Sequence, residues 1–353
     1  MNIIIKLLKK TVTKVILAVL VITFLLSLFF FWGWYEKQYN KLWGFYYVYQ
    51  GDKAYRKQKY QKAVGYYVTG LKLYPEHSKA QCNLGNIYVA YENYPAAAQS
   101  YENALRYNPN YIACRMDLGI ILSERMANYD NAIQEYGKIV DSHPFLFYLP
   151  FIYNNTKTVK TNKGLAFYNM GLAYKGKSVF MGEKTLASNQ YLEKAKEAYL
   201  NAKKILKNDY DTHYNLALTN QLLGDNKEAG LEYCKAISIS PEQYEAHYNL
   251  AILLRSMKLY KDSLFEFEKA GLILDIKGDT VKTNYVYGVL GDVKQKIISQ
   301  GDYSYLKDLT DSPASEQQHL DYKDGKVFVD SESDKALLES LKSCPSKKHF
   351  SEL

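Results

Sequence analysis

Two patterns of apolar and polar positions divide the chain. Residues 15–34 read VILAVLVITFLLSLFFFWGW, twenty positions without a charge. At about 1.5 Å per residue, such a helix crosses a hydrocarbon core of about 30 Å. Beyond it, apolar positions recur with helical spacing in stretches separated by short polar breaks such as Glu92 and Asn93, the pattern of a helix hairpin. The hairpin repeats. Gly51, Gly85 and Gly119 stand 34 apart, as do Pro75 and Pro109, Tyr199, Tyr233 and Phe267, and Ala202, Ala236 and Ala270. Pro95 opens a second helix, where its missing N–H costs nothing, and Pro109 follows its end. Gly85, Ala97 and Ala104 recur where two helices cross closely. A fixed period of this length marks a repeat array whose neighbours bury a shared core.

The run NLGNIY at 83–88, followed by Ala97, Tyr101, Ala104 and Pro109, resembles one complete tetratricopeptide repeat. The resemblance covers about residues 44–277, with six copies beginning near Gly44, Ser78, Ile112, Gly164, Tyr210 and Tyr244. It implies an all-α superhelix of helical hairpins. Ser263, Asp275 and Lys207 depart from the usual residues and bear on edge geometry. Extra residues near 145–163, including FLFYLPFIY at 145–153, and near 175–190 interrupt the array. The aromatic stretch reads as a loop or helix extension packed back on the repeats. Residues 280–300 suit a capping helix, so the array spans 44–300. Residues 301–353 are polar, with little to bury, and read as a mostly disordered tail with one short helix near 335–343.

The segment 15–34 reads as a retained signal-anchor, because bulky Phe29, Phe30, Phe31 and Trp32 stand where a cleavage site needs small residues. Residues 1–14 form a basic tail with Lys6, Lys9, Lys10 and Lys14, and 35–43 a juxtamembrane linker. The basic tail favours a cytoplasmic N-terminus, with the repeats on the non-cytoplasmic side of a membrane such as a bacterial inner membrane. Lys37, Lys41 and Lys53 partly balance it. The run Lys53, Arg56, Lys57, Lys59 and Lys62 reads as a solvated helix face. The net charge of +8 comes without an Arg-rich stretch, so nucleic acid is not expected as a partner.

Chemistry is sparse. Residues 171–178, GLAYKGKS, match the phosphate-binding expression G-x-x-x-x-G-K-S, but Gly171 falls inside a repeat helix, where no loop can cradle phosphate. The apolar run at 327–329 stands alone, with no sheet to join as a partner strand. His213 and His247 share a repeat position and read as packing residues instead of metal ligands. Cys82, Cys114, Cys234 and Cys344 show no CxxC spacing and read as small buried residues, with pairing of Cys82 and Cys114 left open to an oxidising compartment. Neither catalysis, a cofactor, a metal nor a small-molecule substrate is expected.

The resemblance also implies a groove lined by the first helices of the hairpins. Its sixth repeat position holds Asn83, Asp117, Asn169, Asn215 and Asn249, with Asn86 nearby and Tyr168, Tyr214 and Tyr248 one residue before three of them. An Asn amide offers both a donor and an acceptor to a peptide main chain. The expectation is a membrane-anchored scaffold that binds a protein or extended peptide and assembles or retains it at the membrane. The alternatives are a chaperone-like envelope assembly factor, an import-receptor-type repeat protein facing the cytosol and, through residues 171–178, a nucleotide-binding protein.

Overall fold

A computed structural model describes residues 2–142, 153–182, 184–300, 321–323, 326–328 and 342–352. Helices dominate, and the chain forms two compact units, Met1–Ile121 and Leu122–Leu353.

The first unit opens with α1, Asn2–Arg56, a single helix of 55 residues. It carries the apolar run and, without a break, the first helix of the first hairpin. Residues 35–43, expected as a linker, are therefore helical. They hold neither Gly nor Pro, and nothing in them stops a helix. Side chains from Val12 to Trp34 stand exposed on the protein, Ser27 and Leu28 only in part, and the helix is long and apolar enough to cross a membrane. The hairpins continue with α2 (Tyr60–Leu73), α3 (Ser78–Ala90), α4 (Tyr94–Tyr107) and α5 (Ile112–Glu124). Asn93 caps α4, its side chain accepting from the Ala96 N–H at 3.3 Å. Val48, Ala63, Tyr67, Ala80, Leu84 and Ile87 form this unit's core. Lys53, Arg56, Lys57, Lys59 and Lys62 are exposed.

The second unit contains α6 (Tyr129–Val140), α7 (Tyr153–Phe180), α8 (Leu186–Ile205), α9 (Tyr210–Leu223), α10 (Asn226–Ile239), α11 (Tyr244–Ser256), α12 (Tyr260–Ile276) and α13 (Thr280–Ser299). Of the insertions expected near 145–163 and 175–190, residues 153–163 and 175–180 lengthen α7 at its two ends and residues 186–190 open α8. Of the aromatic stretch at 145–153, residues 145–152 lie outside the described residues, and Tyr153 opens α7. Helix α13 buries Thr283, Val286, Leu290, Val293 and Ile297 on one stripe, against Phe267, Ala270 and Leu274 of α12. Its other face mixes exposed Lys282, Asn284, Asp292, Gln295 and Lys296 with exposed Val281, Tyr285, Tyr287 and Ile298.

The tail corrects two expectations. Strand β1 (Asp321–Lys323) pairs antiparallel with β2 (Lys326–Phe328), so the apolar residues near 327 do find a strand partner, although only in a two-stranded ribbon. Residues 342–352, read as having little to bury, pack on the repeats through α14 (Lys347–Glu352), and Phe350 is fully buried. One ring and one cysteine suffice to seat a segment whose average composition is polar. Of the short helix expected near 335–343, residues 335–341 lie outside the described residues.

All four cysteines are bridged. Cys82 of α3 joins Cys114 of α5 with Cα atoms 5.8 Å apart, and Cys234 of α10 joins Cys344 with Cα atoms 5.6 Å apart. Both separations suit a disulfide. The reading of these residues as plain buried hydrophobes is corrected accordingly.

Candidate peptide-binding face

Close helix approach positions the candidate residues. A Cβ added to Gly85 would lie 2.5 Å from the Tyr101 ring, and one on Gly171 would lie 2.5 Å from the Tyr199 ring. In these hairpins the second helix presses a tyrosine onto the small residue of the first. The phenols face inward: Tyr101 donates to Asn86 Oδ1 at 2.6 Å, and Tyr233 to Gln221 Oε1 at 2.7 Å. The Tyr199 hydroxyl is buried without a partner among the described residues.

In the first unit, Asp52 gathers the polar groups. Tyr67 donates to its Oδ1 at 2.7 Å, Asn83 Nδ2 donates to the same oxygen at 3.1 Å, and Lys79 reaches Oδ2 at 3.4 Å. The Asn83 amide also donates to the Tyr67 hydroxyl at 3.1 Å. Asp117 is half-buried, and burial pushes its carboxyl above the usual carboxylate range.

The second unit repeats one brace. Asn215 Nδ2 donates to the Tyr168 hydroxyl at 3.2 Å and to the Asp211 carbonyl at 3.0 Å. Asn249 Nδ2 does the same to the Tyr214 hydroxyl at 2.9 Å and the Glu245 carbonyl at 2.9 Å. Each Asn therefore spends both amide protons inside the chain, tying the tyrosine of one first helix to the next. Lys175 adds a donation to Asn215 Oδ1 at 2.6 Å, and burial pushes its ammonium group below the usual lysine range. The amide donors that sequence reasoning offered to a bound main chain are thus already engaged at Asn83, Asn215 and Asn249. Asn169, on α7, also has a partner within the chain. Tyr168, Tyr214 and Tyr248 stay half-exposed, as do Asn83, Asn169 and Asn249, while Asn215 is buried. Tyr214 stacks on Tyr210, with centroids 5.6 Å apart and planes 8° apart, and Tyr248 lies 6.3 Å from Tyr285. Carboxylates border these rings. Burial pushes the Asp211 carboxyl up, and neighbouring Asp209 and Glu245 push it further. Burial and Glu245 raise the Tyr214 phenol to about 12.

Two buried pairs went unrecognised in the sequence. His213 Nδ1 meets Glu232 Oε2 at 2.6 Å while its Nε2 faces the Lys207 carbonyl at 3.1 Å. His247 repeats this with Glu266 at 2.6 Å and the Pro241 carbonyl at 3.2 Å. Lys203 also pairs with Glu232. Glu232 and Glu266 stand 34 apart, as His213 and His247 do, and that shared interval was the available signal. Among the described residues, no group of three or more His, Cys, Asp or Glu could hold a metal ion.

Residues 171–178 lie within α7. Lys177 pairs with Asp130 and lies 4.7 Å from the Tyr191 ring centroid, and Ser178 Oγ donates to the Lys175 carbonyl at 2.7 Å. The backbone is helical throughout, so its amides serve the helix and form no phosphate cradle.

Sequence profiles described as tetratricopeptide repeat match residues 50–112, 82–147 and 210–243. No curated protein matches the sequence. Among solved structures, one of Pseudomonas aeruginosa PilF is similar with a TM-score of 0.50 at 14% identity, covering 70% of this chain and 98% of that one. YrrB, described as a repeat protein of this type with an unusual peptide-binding site, aligns with a TM-score of 0.42 at 20% identity over 57% of this chain and 88% of its own. PilW, described as a type IV pilus biogenesis factor, aligns with a TM-score of 0.40 at 17% identity over 70% and 91%.

Proposed function

We propose that this chain, which carries tetratricopeptide repeats, is a non-catalytic scaffold that docks an extended protein segment and retains it at a membrane. Tetratricopeptide repeats generally bind protein or peptide partners, which sets the class. The observation that carries the finer reading is the repeated brace from Asn215 to Tyr168 and from Asn249 to Tyr214. It holds tyrosines in fixed orientation along successive first helices and leaves their faces half-exposed. Tyrosine supplies contact area at low entropic cost. The Asn ladder then orients the tyrosines, and the tyrosines with Asp211 and Glu245 meet the partner. A segment bearing Lys or Arg suits that chemistry, since cations favour aromatic faces and carboxylates together. Residues 15–34 supply the anchor. The two disulfides support placing the repeats outside the cytoplasm, because disulfides persist in oxidising compartments.

The test is crosslinking and affinity capture from membranes of the full chain, comparing wild type with Tyr214→Ala/Tyr248→Ala at two salt concentrations. Circular dichroism checks that the variant remains helical. The expected outcome is a partner recovered with wild type, weakened by salt and lost with the folded variant. Equal recovery with both proteins would remove the tyrosine face from consideration.

A further inference from the structure

Helix α14 and the residues before it lie on the opposite, second-helix side of the repeats, on α10 and α12. Phe350 is 0% exposed. A Cβ at Gly230 of α10 would lie 2.2 Å from its ring, so any larger residue there would occupy the ring's place. Lys269 of α12 is 5% exposed and donates its ammonium to the Ser343 carbonyl at 2.7 Å and to Ser343 Oγ at 3.1 Å. His349 Nε2 lies 3.1 Å from Asp262 Oδ2 near the start of α12, and Ser346 is 1% exposed. Cys344 is bonded to Cys234 of α10, 110 residues away in sequence.

We propose that residues 342–352 are a disulfide-gated latch: the slot across α10 and α12 is a docking site for this chain's own C-terminal segment, filled when Cys234 and Cys344 are oxidised and vacated when they are reduced. Contact alone is a weak hold. Fixing the backbone of eleven residues opposes docking at every residue, whereas contacts such as the Phe350 ring, the buried Ser346 hydroxyl and the Lys269 and His349 bridges favour it. The covalent bond tips the balance by tethering the segment at the slot, which makes ring insertion an intramolecular step. Closure proceeds by thiol–disulfide exchange. One cysteine thiolate attacks an external disulfide and releases a thiol. The second thiolate then attacks the mixed disulfide and releases the other, so the external disulfide takes up two electrons and two protons. The inference is independent of the tyrosine face, since it involves none of that face's residues.

Hydrogen exchange on the full chain in detergent micelles tests it, with amides of α11 as an internal control for folding. In oxidised wild type, residues 342–352 should exchange slowly. Reduction with dithiothreitol, and separately Cys344→Ser under oxidising conditions, should speed their exchange at least tenfold while α11 is unchanged. Phe350→Ala, with the bond intact, should also speed exchange in 342–352, because the slot is shaped for the ring. Protection that survives Cys344→Ser would show docking without a gate, and fast exchange in oxidised wild type would show an empty slot; either overturns the proposal. Full protection in Phe350→Ala would overturn the ring's role in docking and the slot with it.

Discussion

At the scale of single residues, burial and spacing decide which positions tolerate change. Gly85 faces the Tyr101 ring at 2.5 Å from a would-be Cβ, while Gly65 in α2 has nothing within 4 Å. Gly85→Ala should therefore destabilise by about 1–3 kcal/mol through overpacking, and Gly65→Ala should stabilise by about 0.5–1 kcal/mol through lower unfolded-state entropy. Thermal unfolding followed by circular dichroism reads both, and a stabilising Gly85→Ala would contradict the packing. His247 and Glu266 are 0% and 1% exposed as side chains, and both His247 ring nitrogens face acceptors. Removing the ring leaves a buried carboxylate, so His247→Leu should cost about 3–5 kcal/mol. His247→Leu/Glu266→Leu should cost less than that single change; additive losses in denaturant melts would mean the two residues act separately. Asp117 gives a sign-specific pH test. Burial raises its folded pKa above the unfolded value, so the folded state binds more protons between the two and stability falls as pH rises through that window. Asp117→Asn should then be the more stable protein at neutral pH, with the advantage fading as pH drops below the ordinary carboxylate range. The sequence revealed the small residues because they recur every 34 positions. It did not reveal the donations of Asn215 and Asn249 to the tyrosine of the preceding repeat, because an amide reads the same whether its protons go to a ligand or to a neighbouring hydroxyl.

Elements were legible where the repeat is regular. The expected starts at Ser78, Ile112, Tyr210 and Tyr244 are the first residues of α3, α5, α9 and α11, since small and aromatic positions recur with the period and Pro75, Pro109 and Pro241 stand three residues before three of those starts. The continuity of α1 was less visible: the apolar run ends at Trp34, yet a helix continues until something breaks it, and a change to polar side chains is no break. Likewise the extra residues around α7 read as an interruption, although their Asn, Thr and Lys content is compatible with a solvated helix. The turns inside the hairpins share a left-handed residue: Gln58 at φ 56°, Glu92 at 56°, Lys258 at 63° and, in the fifth pair, Gly224 at 88°. Only glycine adopts this without strain. Gly224→Ala should cost about 1–2 kcal/mol, with the loss appearing in the melting of the second unit; no loss would mean the turn relaxes. The bridge between α3 and α5 spans 32 residues, which in the chain-entropy account is worth about 3–4 kcal/mol.

At the scale of the whole molecule, membrane orientation rests on two kinds of observation. Lysines at 6, 9, 10 and 14 precede the apolar run, and lysines at 37, 41 and 53 follow it, so the positive-inside preference is small. The cysteines provide an independent indicator. Both pairs are joined, one in each unit, and a reducing cytoplasm would keep them as thiols. Repeats on the outer side should therefore carry no reactive thiol as they exist in the membrane. A denatured sample alkylated with a maleimide should gain mass at none of the four cysteines without prior reduction, and at all four after it. In right-side-out vesicles, an impermeant protease should digest the repeats and leave a fragment containing residues 15–34. Four labelled thiols without reduction, together with repeats protected until the vesicles are opened, would place the repeats in the cytoplasm. That result would end the orientation proposed here, and the C-terminal latch would then stand open in the cell, its slot free for another occupant.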